Sequence, residues 1–125
     1  MNSEKAVILV VDDDASSRET LSDLLSQNGY SVASAENGRQ ALDYLRRSTP
    51  ALILLDLMMP VMSGWEFLAL KKTEPRLEPL PVVVMTGSGL VDDVDAQAVL
   101  HKPIDFGVLI RTVKQNLEYL CLSKT

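Results

Sequence analysis

The stretch LILLDLMMP, residues 52–60, joins a run of aliphatic residues to a carboxylate, Asp56, and then to a turn residue, Pro60. A short aliphatic run that ends at a turn signal is typical of a β-strand buried on both faces of a parallel sheet. An ionised carboxylate beside such a strand costs free energy unless other groups pair with it. Asp56 therefore indicates a place where further charged groups meet.

Short apolar runs, this one included, predict five strands, at residues 6–11, 31–35, 51–56, 81–86 and 98–102. Apolar residues recur at helical spacing between and after these runs, around Leu21–Leu25, Ala41–Leu45, Trp65–Lys72 and Phe106–Leu120. The segment SGLVDDVDAQ, residues 88–97, predicts a short fourth helix. Because strand and helix alternate, the chain is predicted to be α/β, with a doubly wound five-stranded parallel sheet and helices on both faces.

The composition limits the class of protein. The 125 residues, 46% of them hydrophobic and 23% charged, predict one globular domain, 1–125. A net charge of -5 argues against direct binding to nucleic acid. The apolar run near the N-terminus is too short for a membrane span, and the lone Cys121 fits a reducing compartment, so we expect a cytoplasmic protein that does not enter a membrane.

Polar side chains follow four of the predicted strands. Asp12 and Asp13 follow the first strand, Asp56 ends the third, Thr86 ends the fourth and Lys102 ends the fifth. The carboxyl ends of parallel strands open onto one edge of the sheet, where ligands bind. We therefore expect these side chains to line one crevice. The next residue after the acidic pair, Asp14, is expected to cap the first helix.

Three carboxylates in one crevice repel one another, and one lysine cannot neutralise them. A divalent cation can, and hard oxygen ligands with few protein donors favour Mg²⁺ over zinc. Asp13 and Asp56 are expected to bind the ion directly, with the backbone carbonyl near Met58 as a third ligand and Asp12 acting through water. The single histidine, His101, cannot form a zinc site alone and is expected to have no catalytic role.

These groups suit phosphoryl transfer, in which positioning and charge neutralisation supply most of the catalysis. Asp56 can act as a carboxylate nucleophile and form an acyl phosphate. Mg²⁺ and Lys102 would offset the charge of the phosphoryl oxygens, while the Thr86 hydroxyl and backbone amides near Met58 and Gly87 would donate hydrogen bonds to them. The added negative charge could then move Thr86 and its loop and so switch a protein-binding surface.

The chain resembles, over nearly its whole length, the receiver domain of two-component response regulators, of the single-domain type. The resemblance lies in ILVVDDD, LILLDLMMPVMSGWEFL, VVVMTG and HKPI, taken in order. It implies a flavodoxin-like strand order 2-1-3-4-5, Asp56 as phosphoacceptor, Asp12 and Asp13 as the acidic pair, Thr86 as the switch hydroxyl and Lys102 as the phosphate contact. It also implies a histidine kinase or histidine phosphotransfer protein as donor, a downstream protein as target, and no enzymatic activity beyond the domain's own phosphorylation and dephosphorylation.

Two departures from the family pattern concern the output of the signal. Val99 stands where the family usually has an aromatic switch residue, and the span from Thr86 to Lys102 is shorter than usual. These departures leave a phosphorylation-independent scaffold as one alternative. A second alternative is a phosphatase of the haloacid-dehalogenase type, because Asp12-x-Asp14 after an apolar strand resembles that family's nucleophile motif.

Overall fold

One parallel sheet organises the molecule in a computed structural model, which describes residues 6–87 and 96–123, and their side chains as far as residue 117. Its strands are β1 (Val7–Val11), β2 (Ser31–Ala35), β3 (Leu52–Asp56), β4 (Val82–Thr86) and β5 (Ala98–His101), in the order β2-β1-β3-β4-β5. The helices are α1 (Ala15–Gln27), α2 (Gly38–Arg47), α3 (Gly64–Lys72) and α4 (Phe106–Ser123). The predicted fold and strand order are confirmed.

The central strands are buried on both faces, as the unbroken aliphatic run of β3 predicts. Ile53 and Leu55 face one apolar cluster, which also holds residues of α2 and α3. Leu52 and Leu54 face a second cluster, which holds residues of α1 and α4. Each fully buried aliphatic side chain contributes about 1.5–3 kcal/mol to folding. The observed register pairs Ile53 with Val82 and Asp56 with Met85, and it places Asp56 at the carboxyl edge of the sheet.

Helix α1 begins where the acidic run ends. Asp14 has an extended backbone, and its side chain accepts hydrogen bonds from the Ser17 amide at 2.9 Å and from the Ser17 hydroxyl at 2.8 Å. This confirms Asp14 as the N-cap. The helix ends at Gln27, and Gly29 then adopts a positive φ of 93°, as expected of a glycine after a helix. The cap leaves Asp12 and Asp13 outside the helix, at the end of β1.

Helix α3 corrects one detail of the sequence prediction. The predicted stripe ran through Trp65, Leu68 and Lys72, but the helix buries Phe67, Leu68 and Lys71, while Trp65 is 42% exposed. A capping box fixes the start of the helix, since Ser63 and Glu66 bond to each other's backbone amides. The S-x-x-E spacing in the sequence could have predicted this start, and with it the buried face.

The predicted fourth helix lies mostly outside the described residues. Its last two positions, Ala96 and Gln97, are described and are not helical. Gln97 instead joins β4 to β5, because its amide donates to the Val82 carbonyl at 2.8 Å and its side chain accepts from the Val82 amide at 2.7 Å. Within the described ranges, no helix is both long enough and apolar enough to cross a membrane.

Candidate functional site

Four strand ends bring the predicted site residues to the carboxyl edge of the sheet. Asp12 directly follows β1, Asp56 ends β3, Thr86 ends β4 and Lys102 directly follows β5. Asp12, Asp56 and Thr86 are buried, whereas Lys102 is partly exposed. The hydrogen bond from the Lys102 amide to the Thr86 carbonyl, at 2.8 Å, extends the pairing of the two strands and holds the lysine at this edge.

Both carboxylate oxygens of Asp56 have partners, although the residue is only 3% exposed. Oδ1 accepts a hydrogen bond from the Met58 backbone amide at 3.1 Å, and Oδ2 accepts one from Lys102 Nζ at 3.2 Å. Charge-assisted hydrogen bonds of this kind offset part of the cost of burying a carboxylate. The two contacts fix the orientation of the Asp56 carboxylate, as a nucleophile requires.

The carboxylate of Asp12 has fewer hydrogen-bond partners than that of Asp56. Its Oδ1 accepts a hydrogen bond from the Asp14 amide at 2.9 Å, but its buried Oδ2 has no hydrogen-bond partner and lies 3.9 Å from Lys102 Nζ. Burial raises the pKa of Asp12, and the charges of Asp56 and Asp13 raise it further, against the lowering effects of the Asp14 amide and Lys102. A buried oxygen without a partner marks a position that a cation would stabilise.

The acidic cluster consists of Asp12, Asp13 and Asp56, and it fits a hard divalent cation. Each residue offers a carboxylate oxygen, and these oxygens lie within 4.8 Å of one another. Asp13 is exposed, so the cluster opens to solvent on one side, where an ion could enter and keep part of its water shell. Three carboxylates beside one lysine leave an excess of negative charge, which a divalent ion would balance.

Thr86 is fully buried at the end of β4. Alternation along the strand places its side chain on the same face of the sheet as Val84, which belongs to the cluster that also holds residues of α2 and α3. The register pairs Thr86 with His101, the exposed last residue of β5. Thr86, whose hydroxyl is predicted to contact a phosphoryl group, therefore ends the strand next to β3, at the same carboxyl edge of the sheet as Asp56.

The loop after β3 is shaped by close backbone contacts that the sequence analysis did not identify. The Gly64 amide donates to the Leu57 carbonyl at 2.9 Å, and a Cβ at Gly64 would lie 2.6 Å from Leu57 Cα and 2.8 Å from the Asp56 carbonyl oxygen. Val61 has a φ of 69°, and the Met62 amide donates to the Pro60 carbonyl at 2.7 Å, which defines a strained γ-turn. In the sequence, the glycine at the start of α3 was the signal that could have predicted this close contact, because only Gly fits so near another backbone segment.

A cleft of about 340 Å³ adjoins the site, between α1 and the segment that follows β5. Hydroxyl side chains of α1 and apolar residues of the facing segment line it, together with Asp12 and Lys102: Ser16, Ser17, Thr20, Leu21, Pro103, Ile104 and Phe106. Asp12 and Lys102 connect this cleft to the site. A group that enters this cleft therefore meets residues of the site, Asp12 and Lys102, on its walls.

The family model of the response regulator receiver domain matches residues 8–114, and the chain belongs to this family. It is similar to response regulator Rre1 of Synechocystis sp., with 36% identity over 109 residues, covering 82% of this chain and 47% of that protein. It is also similar to the polar-differentiation response regulator DivK of Brucella anthropi, with 30% identity over 116 residues, covering 88% of this chain and 94% of that protein. The chain thus spans about half the length of Rre1 and nearly all of DivK.

Solved structures show the same similarity. The chemotaxis response regulator CheY4 of Vibrio cholerae superposes with a TM-score of 0.83 at 30% identity, covering 90% of this chain and 98% of that chain. The fold, the strand-end site and these matches together define a receiver domain of two-component signalling. The phosphatase alternative loses support from the geometry too, because Asp14, the second residue of its motif, caps α1.

Proposed function

We propose that Asp56 is the phosphoacceptor of a Mg²⁺-dependent receiver domain that spans residues 1–125. The observation that carries this proposal is the position of the Asp56 carboxylate, which is bonded to Lys102 Nζ at 3.2 Å and lies within 4.8 Å of the carboxylates of Asp12 and Asp13. The proposed donor is a histidine kinase or a histidine phosphotransfer protein. The proposed receiver of the signal is a downstream protein, and the proposed location is the cytoplasm.

The proposed reaction moves one phosphoryl group. A carboxylate oxygen of Asp56 forms a bond to phosphorus while the bond from phosphorus to the donor's imidazole nitrogen breaks, and that nitrogen takes up a proton. Asp12, Asp13 and Asp56, with the Met58 carbonyl, would hold Mg²⁺, which when bound supplies positive charge to the phosphoryl oxygens. Lys102 Nζ, already on Asp56 Oδ2, can turn to a phosphoryl oxygen, and the Met58 amide on Oδ1 remains a donor. We assign the Thr86 hydroxyl the role of a further donor.

Incubation with a small phosphodonor tests the proposal. Wild-type protein with Mg²⁺ and excess acetyl phosphate is expected to gain one phosphoryl group by intact mass, in a form stable to acid and labile to alkali. EDTA should prevent the gain, and so should Asp56→Asn. Asp43→Asn is the matched control, because Asp43 is exposed on α2 and pairs only with the nearby Arg46 among the ion pairs of the described residues. A wild-type protein that stays unmodified under donor excess would refute the assignment.

A different experiment tests how the domain passes the signal to a partner protein. The added group carries about -1.5 to -2 charge at neutral pH, enough to rearrange nearby donors. Because Val99, half-buried on the face of Thr86, takes the place of the usual aromatic residue, we propose that the switched surface is formed without an aromatic side chain at that position. Partner binding that is equal in wild type and Asp56→Asn, with and without phosphodonor, would favour the scaffold alternative.

A further inference from the structure

Arg18 contacts the backbone of Asp12, a member of the acidic cluster. It is the fourth residue of α1, its side chain is half-buried, and its Nη1 donates a hydrogen bond to the backbone carbonyl oxygen of Asp12 at 2.8 Å. Its own amide donates to the Asp14 carbonyl at 2.9 Å, as part of the first turn of the helix. Arg18 thereby links α1 to the end of β1, where the acidic pair begins.

Three anchors fix Asp12 at the strand end. Its amide donates to the Ala35 carbonyl of β2 at 3.1 Å, its Oδ1 accepts from the Asp14 amide at 2.9 Å, and its carbonyl accepts from Arg18. With these in place, Oδ2 is the carboxylate oxygen left without a hydrogen-bond partner. The carbonyl lies beyond the register that pairs β1 with β3, which runs from Ile8 to Val11. Loss of the Arg18 side chain would therefore leave the Asp12 carbonyl without this hydrogen bond and allow Asp12 to move more freely.

We propose that Arg18 is a positioning residue for the cation, acting through Asp12. The inference rests on the proposed function only in its use of a cation at the acidic cluster. A donor that holds a ligand-bearing residue typically changes metal affinity by 10- to 100-fold when it is removed. The guanidinium presents several donors in a planar fork, and it keeps its charge at all working pH values. Both properties suit a fixed contact to a carbonyl.

The direction in which cation affinity changes on removal of Arg18 distinguishes a positioning role from a purely electrostatic one. Arg18 is a positive charge near a site for another positive charge, so by Coulomb's law its removal would tighten cation binding. Loss of a positioning contact would weaken binding instead, because Asp12 would have to be ordered by the cation itself. A role confined to fold stability would leave the affinity unchanged at temperatures where the chain stays folded.

The experiment is a Mg²⁺ titration without any phosphodonor, followed by amide chemical shifts in NMR spectra. The proteins are wild type, Arg18→Met, Arg18→Lys and Arg46→Met, where Arg46 is exposed on α2 and serves as the matched control. Arg18→Met is expected to raise the Kd for Mg²⁺ by about 10-fold. Arg18→Lys, which retains a donor and the charge, should recover part of that loss, and Arg46→Met should stay within about 2-fold of wild type.

Each other outcome would overturn the assignment. A Kd that is unchanged or lower in Arg18→Met would exclude positioning, and equal losses in both Arg18 variants with a large unfolded fraction would show a purely structural role. Absence of saturable Mg²⁺ binding by wild type would overturn the inference together with the proposed metal. Phosphorylation of Asp56 is measured separately by intact mass, so failure of the Arg18 inference and failure of the phosphoacceptor assignment remain distinguishable.

Discussion

Replacing Asp12 by Asn should stabilise the protein when no divalent cation is present. The carboxylate is fully buried, and its Oδ2 lacks a hydrogen-bond partner, whereas the amide of Asn can donate to the neighbouring carboxylates. Leaving such a group unsatisfied costs about 1–3 kcal/mol. The substitution keeps the acceptor for the Asp14 amide, so the local backbone contact survives.

Neighbouring charges act on Asp12 in opposite directions, and desolvation, the largest cause of its raised pKa, sets the magnitude of the prediction. Repulsion by Asp56, whose carboxylate lies within 4.8 Å, opposes attraction by Lys102 at 3.9 Å. Each pair at such a distance is worth about 1 kcal/mol in water and about 4 kcal/mol near a protein surface, with opposite signs. We therefore expect Asp12→Asn to raise the free energy of unfolding by about 2 kcal/mol in EDTA, the middle of the desolvation range.

Urea unfolding with and without Mg²⁺ measures this prediction. At ten times its Kd, a ligand that binds only the folded state stabilises it by about 1.4 kcal/mol. Wild type should show this gain, and Asp12→Asn should lose most of it, so the advantage of the variant shrinks when Mg²⁺ is added. A variant that is less stable than wild type in EDTA, or one that keeps the full Mg²⁺ gain, would refute the reasoning.

Three further predictions concern pH and the loop after β3. Burial raises the pKa of Asp12 in the folded state above its ordinary value of 3.8, which we take for the unfolded state. At pH values between these two pKa values, the folded state binds more protons than the unfolded state. The advantage of Asp12→Asn in urea unfolding should therefore diminish as the pH falls through this window. Val61→Gly should raise the free energy of unfolding by about 1 kcal/mol, since a β-branched residue is strained at a φ of 69° and Val61 is 74% exposed; an unchanged urea midpoint would argue against that strain. Gly64→Ala should lower the free energy of unfolding by about 2 kcal/mol, because its Cβ would meet backbone atoms at 2.6 and 2.8 Å, while Gly87→Ala, with open space around the new Cβ, should change it little.

The strands and the position of the site were predictable because their signals are local. The aliphatic runs of β3 and β4 match strands whose observed ends lie within one residue of prediction. Asp14 was identified as a helix cap from its place after a strand, and Asp56 was placed at the sheet edge by the rule for parallel strands. The phase of α3 was missed although Ser63 and Glu66 gave a capping signal, since the prediction used apolar spacing alone.

The amino-acid sequence by itself determined the α/β class, the parallel sheet and the set of polar groups at its carboxyl edge, because hydrophobic periodicity and turn residues act between near neighbours. Only the tertiary structure decided which of these groups touch. Lys102 meets Asp56 across 46 positions of chain, and the Arg18 contact helps to hold Asp12 while its Oδ2 has no hydrogen-bond partner. Such contacts depend on how separate elements pack, and packing is a property of the whole fold.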